Sequence, residues 1–309
     1  MWRRMSEVPQ PQNTGKNNQL PGLLAVSGST FIWGFGYVVA KYSLLHLSPY
    51  ALLFWRTFFS AVIAISVFYI SGKRIRDYLP FWKEFVLLAA GGVAFNQLLW
   101  LVGLTYTTPS HSVLIYTLLP FFTGLFATMF LNERMDFRKW VGIVVAFIGA
   151  IILLTEKGVD FRNKYFLGDI ITLGALIFWA LYTAFSKRTV EKLGTTATMG
   201  MTFLFGLIMV SPLGFVWGFN KDVSTIDPVG WSSILYVIFI STMVALYLYT
   251  FSLKHLPSST VASFIYLQPV VAAVASVLLL GEKLSLMFFV AAFLIFAGLL
   301  SFLPRKNAG

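Results

Sequence analysis

Apolar stretches of about 20 residues recur along the whole chain, each ended by a short polar joint. They run over about 22–45, 50–71, 84–105, 110–131, 138–155, 167–187, 196–219, 229–252, 258–280 and 285–303. About 20 apolar residues in a helix cross a hydrocarbon core roughly 30 Å thick, so the pattern predicts ten transmembrane helices. A β-barrel would show short alternating segments instead. Two of the joints are alike: LLLGEKLS at 278–285 has the build of MFLNERMD at 129–136. Asn132 and Gly281 suit the left-handed conformation that ends a helix. Asp136 and Ser285, four residues further on, can N-cap the next one. Each joint reads as a tight helical hairpin, with Glu133 and Glu282 serving the turn, a functional role being the alternative.

The likeness extends beyond the joints. An offset of 149 carries Pro120 onto Pro269, Asn132-Glu133-Arg134 onto Gly281-Glu282-Lys283, and Gly149 onto Gly298. An offset of 146 carries Trp33 onto Trp179 and Lys41 onto Lys187. The expected fold is an all-α polytopic membrane protein of two five-helix repeats, 22–155 and 167–303. A charged linker, 156–166 (EKGVDFRNKYF), joins them, and polar tails lie at 1–21 and 304–309. Five spans is an odd number, so the second copy enters the membrane from the opposite side. Halves inverted in this way are the signature of secondary transporters, which rock around a site near the midplane.

Composition supports a membrane solvent. The chain is 58% hydrophobic and 11% charged, where a soluble domain carries about a quarter charged residues. The net charge of +11 might point to nucleic acid, but its placement is topological. With both termini cytoplasmic, Lys and Arg divide 16 to 5 in favour of the cytoplasmic segments, as the positive-inside rule requires. A bacterial cytoplasmic membrane is the expected location, with a small-molecule substrate, the lipid bilayer and no nucleic acid as partners, and a monomer or homodimer as the assembly. The first span is too long for the apolar core of a signal peptide and is read as retained. No cysteine is present, which excludes disulfides and thiolate chemistry. His46, His111 and His255 have no metal-site spacing, no P-loop occurs, and no catalytic constellation is visible. No cofactor and no enzymatic activity are expected.

The stretch WGFGYVVAK (33–41), then PYALLFWR (49–56), then Pro120 with Glu133 thirteen residues on, resembles the EamA-like family of the drug/metabolite transporter superfamily. The second half repeats the pattern as FWALYTAFSK (178–187) and Pro269 to Glu282. The resemblance covers nearly the whole chain beyond the N-terminal tail. It implies a ten-helix inverted-repeat fold and, commonly, export of amino acids or other small metabolites. The membrane-embedded glutamate that the superfamily's small four-helix multidrug exporters carry in their first helix is missing. One departure inside the chain concerns Arg56, which aligns with the neutral Thr202.

The candidate binding residues follow from spacing. Trp33, Tyr37 and Lys41 are spaced by four and share a helical face, and Trp179, Thr183 and Lys187 repeat the spacing with Tyr182 adjacent. These read as a cavity wall, the plainer alternative being interfacial belt or packing residues. Asn96, Gln97 and Trp100 form a polar group inside an apolar span, either gluing helices or facing a wet cavity. Tyr116 before Pro120, and Tyr266 and Gln268 before Pro269, form a symmetric pair at prolines that free a carbonyl one turn earlier. Of the 23 Lys and Arg, the two left after the 16 and 5 of the segments are Lys41 and Arg56, both within spans; no acidic residue occupies the middle of a span. Their charge suits a carboxylate-bearing solute, snorkelling to the interface being the alternative. An anionic lipid-linked headgroup, moved in the manner of a flippase, would suit the same charges.

Overall fold

The computed structural model describes residues 19–131, 133, 135–156, 165–218, 223–280 and 286–302, and among these the regular structure is helical throughout. The first part contains α1 (Leu20–His46), α2 (Pro49–Ile70), α3 (Ile75–Tyr106), α4 (Pro109–Tyr116), α5 (Leu119–Leu131) and α6 (Phe137–Glu156). The second contains α7 (Phe166–Leu193), α8 (Thr195–Trp217), α9 (Pro228–His255), α10 (Ser258–Ser263), α11 (Leu267–Leu280) and α12 (Leu286–Leu300). Among the described residues seven helical segments are long and apolar enough to cross a membrane: α1, α2, α3, His111–Leu131, α7, α8 and α9. The expected spans at 138–155, 258–280 and 285–303 correspond to α6, α10 with α11, and α12. The joint at 281–285, with Gly281, Glu282 and Ser285, lies outside the described residues, as does most of the linker.

The helix starts are written in the sequence. Ser48, Thr108 and Asp227 each precede a proline at the first helical position, and each side chain accepts from a backbone N–H three residues on, at 3.1, 3.2 and 2.8 Å. An oxygen cap followed by proline satisfies or removes donors that the first turn would otherwise leave orphaned. α7 ends at Gly194 with φ of +82°, a conformation other residues adopt only with strain. In hydrocarbon such end groups must be met by the protein, which explains why both long lysine side chains are spent there. Lys41 Nζ donates to the carbonyls of Leu104 and Thr107 at the end of α3, and Lys187 Nζ to those of Leu253 and Leu256 at the end of α9.

Element bounds recur at the offsets seen in the sequence. The starts of α1 and α2 fall 146 residues before those of α7 and α8, and Pro109 and Phe137 fall 149 before Ser258 and Leu286, where α10 and α12 start. Both α3 and α9 contain a π-helical stretch, Ala89–Phe95 and Tyr236–Val244. Both Pro120 and Pro269 follow a break, a turn at 117–118 and a 3₁₀ stretch at Phe264–Tyr266, because proline cannot donate to the preceding turn.

The packing is crossed between the two parts. α1 lies on α9 and α11, α7 lies on α3 and α5, α2 pairs with α8, and α6 pairs with α12. At the last pair the backbones touch: a Cβ built on Gly142 would stand 2.8 Å from the carbonyl oxygen of Gly298, and one on Gly298 2.6 Å from that of Gly142. Small residues permit this approach, on which membrane helix association depends. Large apolar side chains on the outer faces, Ile70, Phe137, Phe215 and Phe293 among them, are exposed, as a lipid-facing surface requires.

Glu133 holds the two parts together from a joint. Its carboxylate accepts from the backbone N–H and hydroxyl of Ser258 at 3.0 and 2.9 Å, and from the hydroxyl of Ser259 at 3.2 Å. The sequence reading kept this residue within its own turn; in the structure it caps α10, 125 positions away.

Candidate functional site

The crossed packing leaves a cavity between the two parts. α1 supplies one wall with Trp33, Gly36 and Tyr37. α2 contributes Arg56, and α3 contributes Asn96, Gln97 and Trp100 just beyond its π-helical stretch. Tyr116 and Ile265 enter from the two proline-linked breaks, with Gln268 one turn beyond the second. Trp179 of α7 and Ser241 of α9 complete the lining. The cavity is about 50 Å³ in volume, room for one or two water molecules at about 30 Å³ each.

Among the described residues Arg56 is the only charged group in this lining, and it is 3% exposed. Its Nε donates to Thr242 Oγ1 at 2.9 Å, and Thr242 Oγ1 donates to the carbonyl of Val237, five residues back along the π-helical stretch. The guanidinium carbon stands 6.0 Å from the Trp100 ring centroid, at the outer limit of a cation–π contact. Arg56 Nη1 makes no hydrogen bond within the protein. No acidic side chain lines the cavity among the described residues. The aligned position in the second part, Thr202, is buried and neutral.

The polar group on α3 does both things open to it. Asn96 Nδ2 donates to Tyr116 OH at 3.0 Å and to the Ala175 carbonyl at 2.8 Å, tying α3 to α4 and α7. Its Oδ1 accepts from Gln97 Nε2 at 2.9 Å, so the pair also faces the cavity as one linked polar edge. The aromatic wall is interlocked in the same way. Tyr37 meets Trp100 and Tyr116 edge-on at 5.6 and 6.2 Å. Trp33 Nε1 donates to the Ser241 carbonyl at 2.8 Å, and its ring meets Trp179 at 5.5 Å and Tyr249 at 5.1 Å.

Nine of the residues expected from spacing line this cavity, and four lie elsewhere. Lys41 turns to the end of α3 instead, where its flexible stem carries the ammonium to three carbonyls; such groups attract a cation at a helix C-terminus. Tyr182 and Thr183 are committed to α9, through Tyr182 OH with Thr250 Oγ1 at 3.2 Å and Thr183 Oγ1 with Tyr249 OH at 2.8 Å. Tyr266 faces α6 and α12, packed among Ala146, Ala150, Ala291 and Ile295, with its hydroxyl on the Ile143 carbonyl. Gln268 is two positions beyond Tyr266, which places the two on opposite faces of a helical turn. Spacing alone missed Gly36, Ser241 and Ile265 in the lining, and Thr242 behind it. Ser241 and Thr242 are a hydroxyl pair in an otherwise apolar run, but their aligned partners Gly92 and Val93 carry no hydroxyl, so the repeat gave no signal.

The sequence pattern of the EamA-like transporter family matches the chain twice, over residues 20–155 and 166–303. Relatives include proteins named "Probable amino-acid metabolite efflux pump" from Salmonella typhimurium and Escherichia coli. They are 26% and 27% identical, each alignment covering 87% of this chain and 90% of the relative. An uncharacterised transporter of Bacillus subtilis, YyaM, is 25% identical over 89% of this chain and 90% of its own length. A solved crystal structure superimposes with a TM-score of 0.72 at 18% identity, covering 90% of this chain and 95% of that one, a likeness of fold alone.

Proposed function

Since the chain belongs to the EamA-like transporter family and is a multi-pass membrane protein, we propose that it is a secondary transporter exporting small carboxylate-bearing metabolites, amino acids among them, by alternating access. The observation that carries this reading is Arg56: a buried cation in a cavity between the two parts, with an unbonded Nη1 and, among the described residues, no carboxylate in the lining. A buried charge needs a partner, and a guanidinium is shaped to take a carboxylate bidentately. The nine lining residues, from Trp33 to Gln268, form the binding surface in this reading, and Lys41, Tyr182, Thr183 and Tyr266 position helices around it. The efflux names of two relatives support the outward direction.

Protein reconstituted into vesicles of uncharged lipid is expected to move a free radiolabelled carboxylate with no lipid-linked substrate present. Movement that occurs only with a lipid-linked anionic headgroup would replace this reading with the flippase-like one.

The architecture proposed for this function has ten helices in two inverted repeats, 22–155 and 167–303, with both termini in the cytoplasm. The recurring helix bounds, the crossed packing and the two family matches support it. Inversion places the segment after α2 and the segment after α8 on opposite faces. Ser71 and Ser224 are exposed, and the chain has no cysteine of its own. Ser71→Cys is expected to react with an impermeant thiol reagent only from the cytoplasmic side, and Ser224→Cys only from the other. Labelling of both from one side would leave the halves parallel and end the alternating-access argument.

A further inference from the structure

Resting on the carboxylate-site reading above, we infer that the cavity selects net-anionic hydroxy carboxylates over zwitterionic amino acids of the same size. Trp100 acts as the second donor to the anion, and Gln268 as the acceptor that sets specificity.

Three residues that line this cavity each carry a buried polar atom that makes no hydrogen bond within the protein: Arg56 through Nη1, Trp100 through Nε1 and Gln268 through Oε1. Arg56 and Gln268 are 3% and 1% exposed. Buried polar groups in native proteins are nearly always met, and each unmet one costs free energy. Three at a single cavity describe what belongs there. Two are donors on neighbouring side chains, the guanidinium carbon lying 6.0 Å from the Trp100 ring centroid. A carboxylate offers two acceptor oxygens to such a pair. The third is an acceptor, so a ligand complementary to all three carries a hydrogen-bond donor as well as an anion.

Charge decides which donor. Arg56 and one carboxylate sum to zero. An added ammonium leaves a net positive charge in a site lined by no acidic side chain among the described residues, and an uncompensated buried charge is strongly disfavoured. The tryptophan and tyrosine faces offer an ammonium a weak attraction, but it must be held against repulsion from Arg56. A hydroxyl meets Gln268 Oε1 and adds no charge.

Lactate, propionate and alanine share one carbon skeleton and separate these terms. By calorimetry on the purified full-length protein, lactate is expected to bind about tenfold more tightly than propionate, the worth of one hydrogen bond, and at least about tenfold more tightly than alanine. Trp100→Phe keeps the ring and removes the N–H, and is expected to weaken lactate and propionate alike by about tenfold. Gln268→Met keeps the length and removes the acceptor; the lactate-to-propionate ratio is then expected to fall to about one. A lactate-to-propionate ratio unmoved by Gln268→Met would overturn the role of Gln268, and alanine binding as tightly as lactate in the unmodified protein would overturn the charge argument. If Gln268→Met does not fold, the order of the three ligands on the unmodified protein decides alone. Carboxylate binding that survives Arg56→Gln would instead sink the underlying reading of the site.

Discussion

Arg56→Gln is expected to abolish transport of a carboxylate substrate, with loss of binding by about a hundredfold or more, while the protein still folds. The charge-assisted hydrogen bonds of a guanidinium contribute about 1.5–3 kcal/mol each, and a bidentate carboxylate engages two. An arginine at the centre of a transmembrane helix costs roughly 2.5–3.5 kcal/mol on insertion scales, so retaining it calls for a use. Snorkelling is not that use, because the side chain is 3% exposed and faces a cavity. Anchoring is not either, because the aligned Thr202 occupies an equally buried position without a charge. The protein gives Arg56 one partner, Thr242, through Nε, and glutamine forfeits that bond at a cost of about 1.5–3 kcal/mol, less than the stability of a folded domain. Arg56→Lys is expected to recover a minor part of the activity, since the charge remains and the fork does not. Transport at the normal rate by a well-folded Arg56→Gln protein, judged by its size-exclusion profile, would remove the anion site.

The helices were legible because apolar runs of membrane length leave little choice of structure, and the Trp33–Trp179 pair was legible because the repeat placed both at one point of the fold. The long side chains were not. A spacing of four places Lys41 on the face of Trp33 and Tyr37, but it says nothing of which way four flexible carbons turn, and the unpaired carbonyls of α3 decided that. Tyr266 was lost at the 3₁₀ stretch Phe264–Tyr266, where a tighter winding rotates the faces out of α-helical register. The π-helical stretches shift register in the opposite sense, and Thr242 reaches Arg56 from one of them. The Glu133 bonds to Ser258 and Ser259 bring together residues 125 and 126 positions apart, and no local pattern encodes a contact at that distance.

Trp179→Ala is expected to destabilise the fold by about 3–5 kcal/mol, the cost of deleting a large ring from a packed interior, and to lose transport with it. Trp179 lines the cavity but is 3% exposed. It stacks on Tyr182 at 4.9 Å, meets Trp33 edge-on at 5.5 Å, and lies 5.3 Å from Tyr249. Aromatic pairs of this kind contribute about 0.5–1.5 kcal/mol each beyond their packing, and Tyr249 and Tyr182 are held in turn by Thr183 and Thr250. The hole left by alanine would stand where α1, α7 and α9 converge, so neighbouring helices could not close it without giving up contacts elsewhere. Trp179→Phe retains a ring and is expected to keep most of the stability while altering affinity, which separates the packing role from the surface offered to substrate. A thermal midpoint for Trp179→Ala within a degree or two of the unmodified protein would show that the ring is a cavity surface and not a structural keystone.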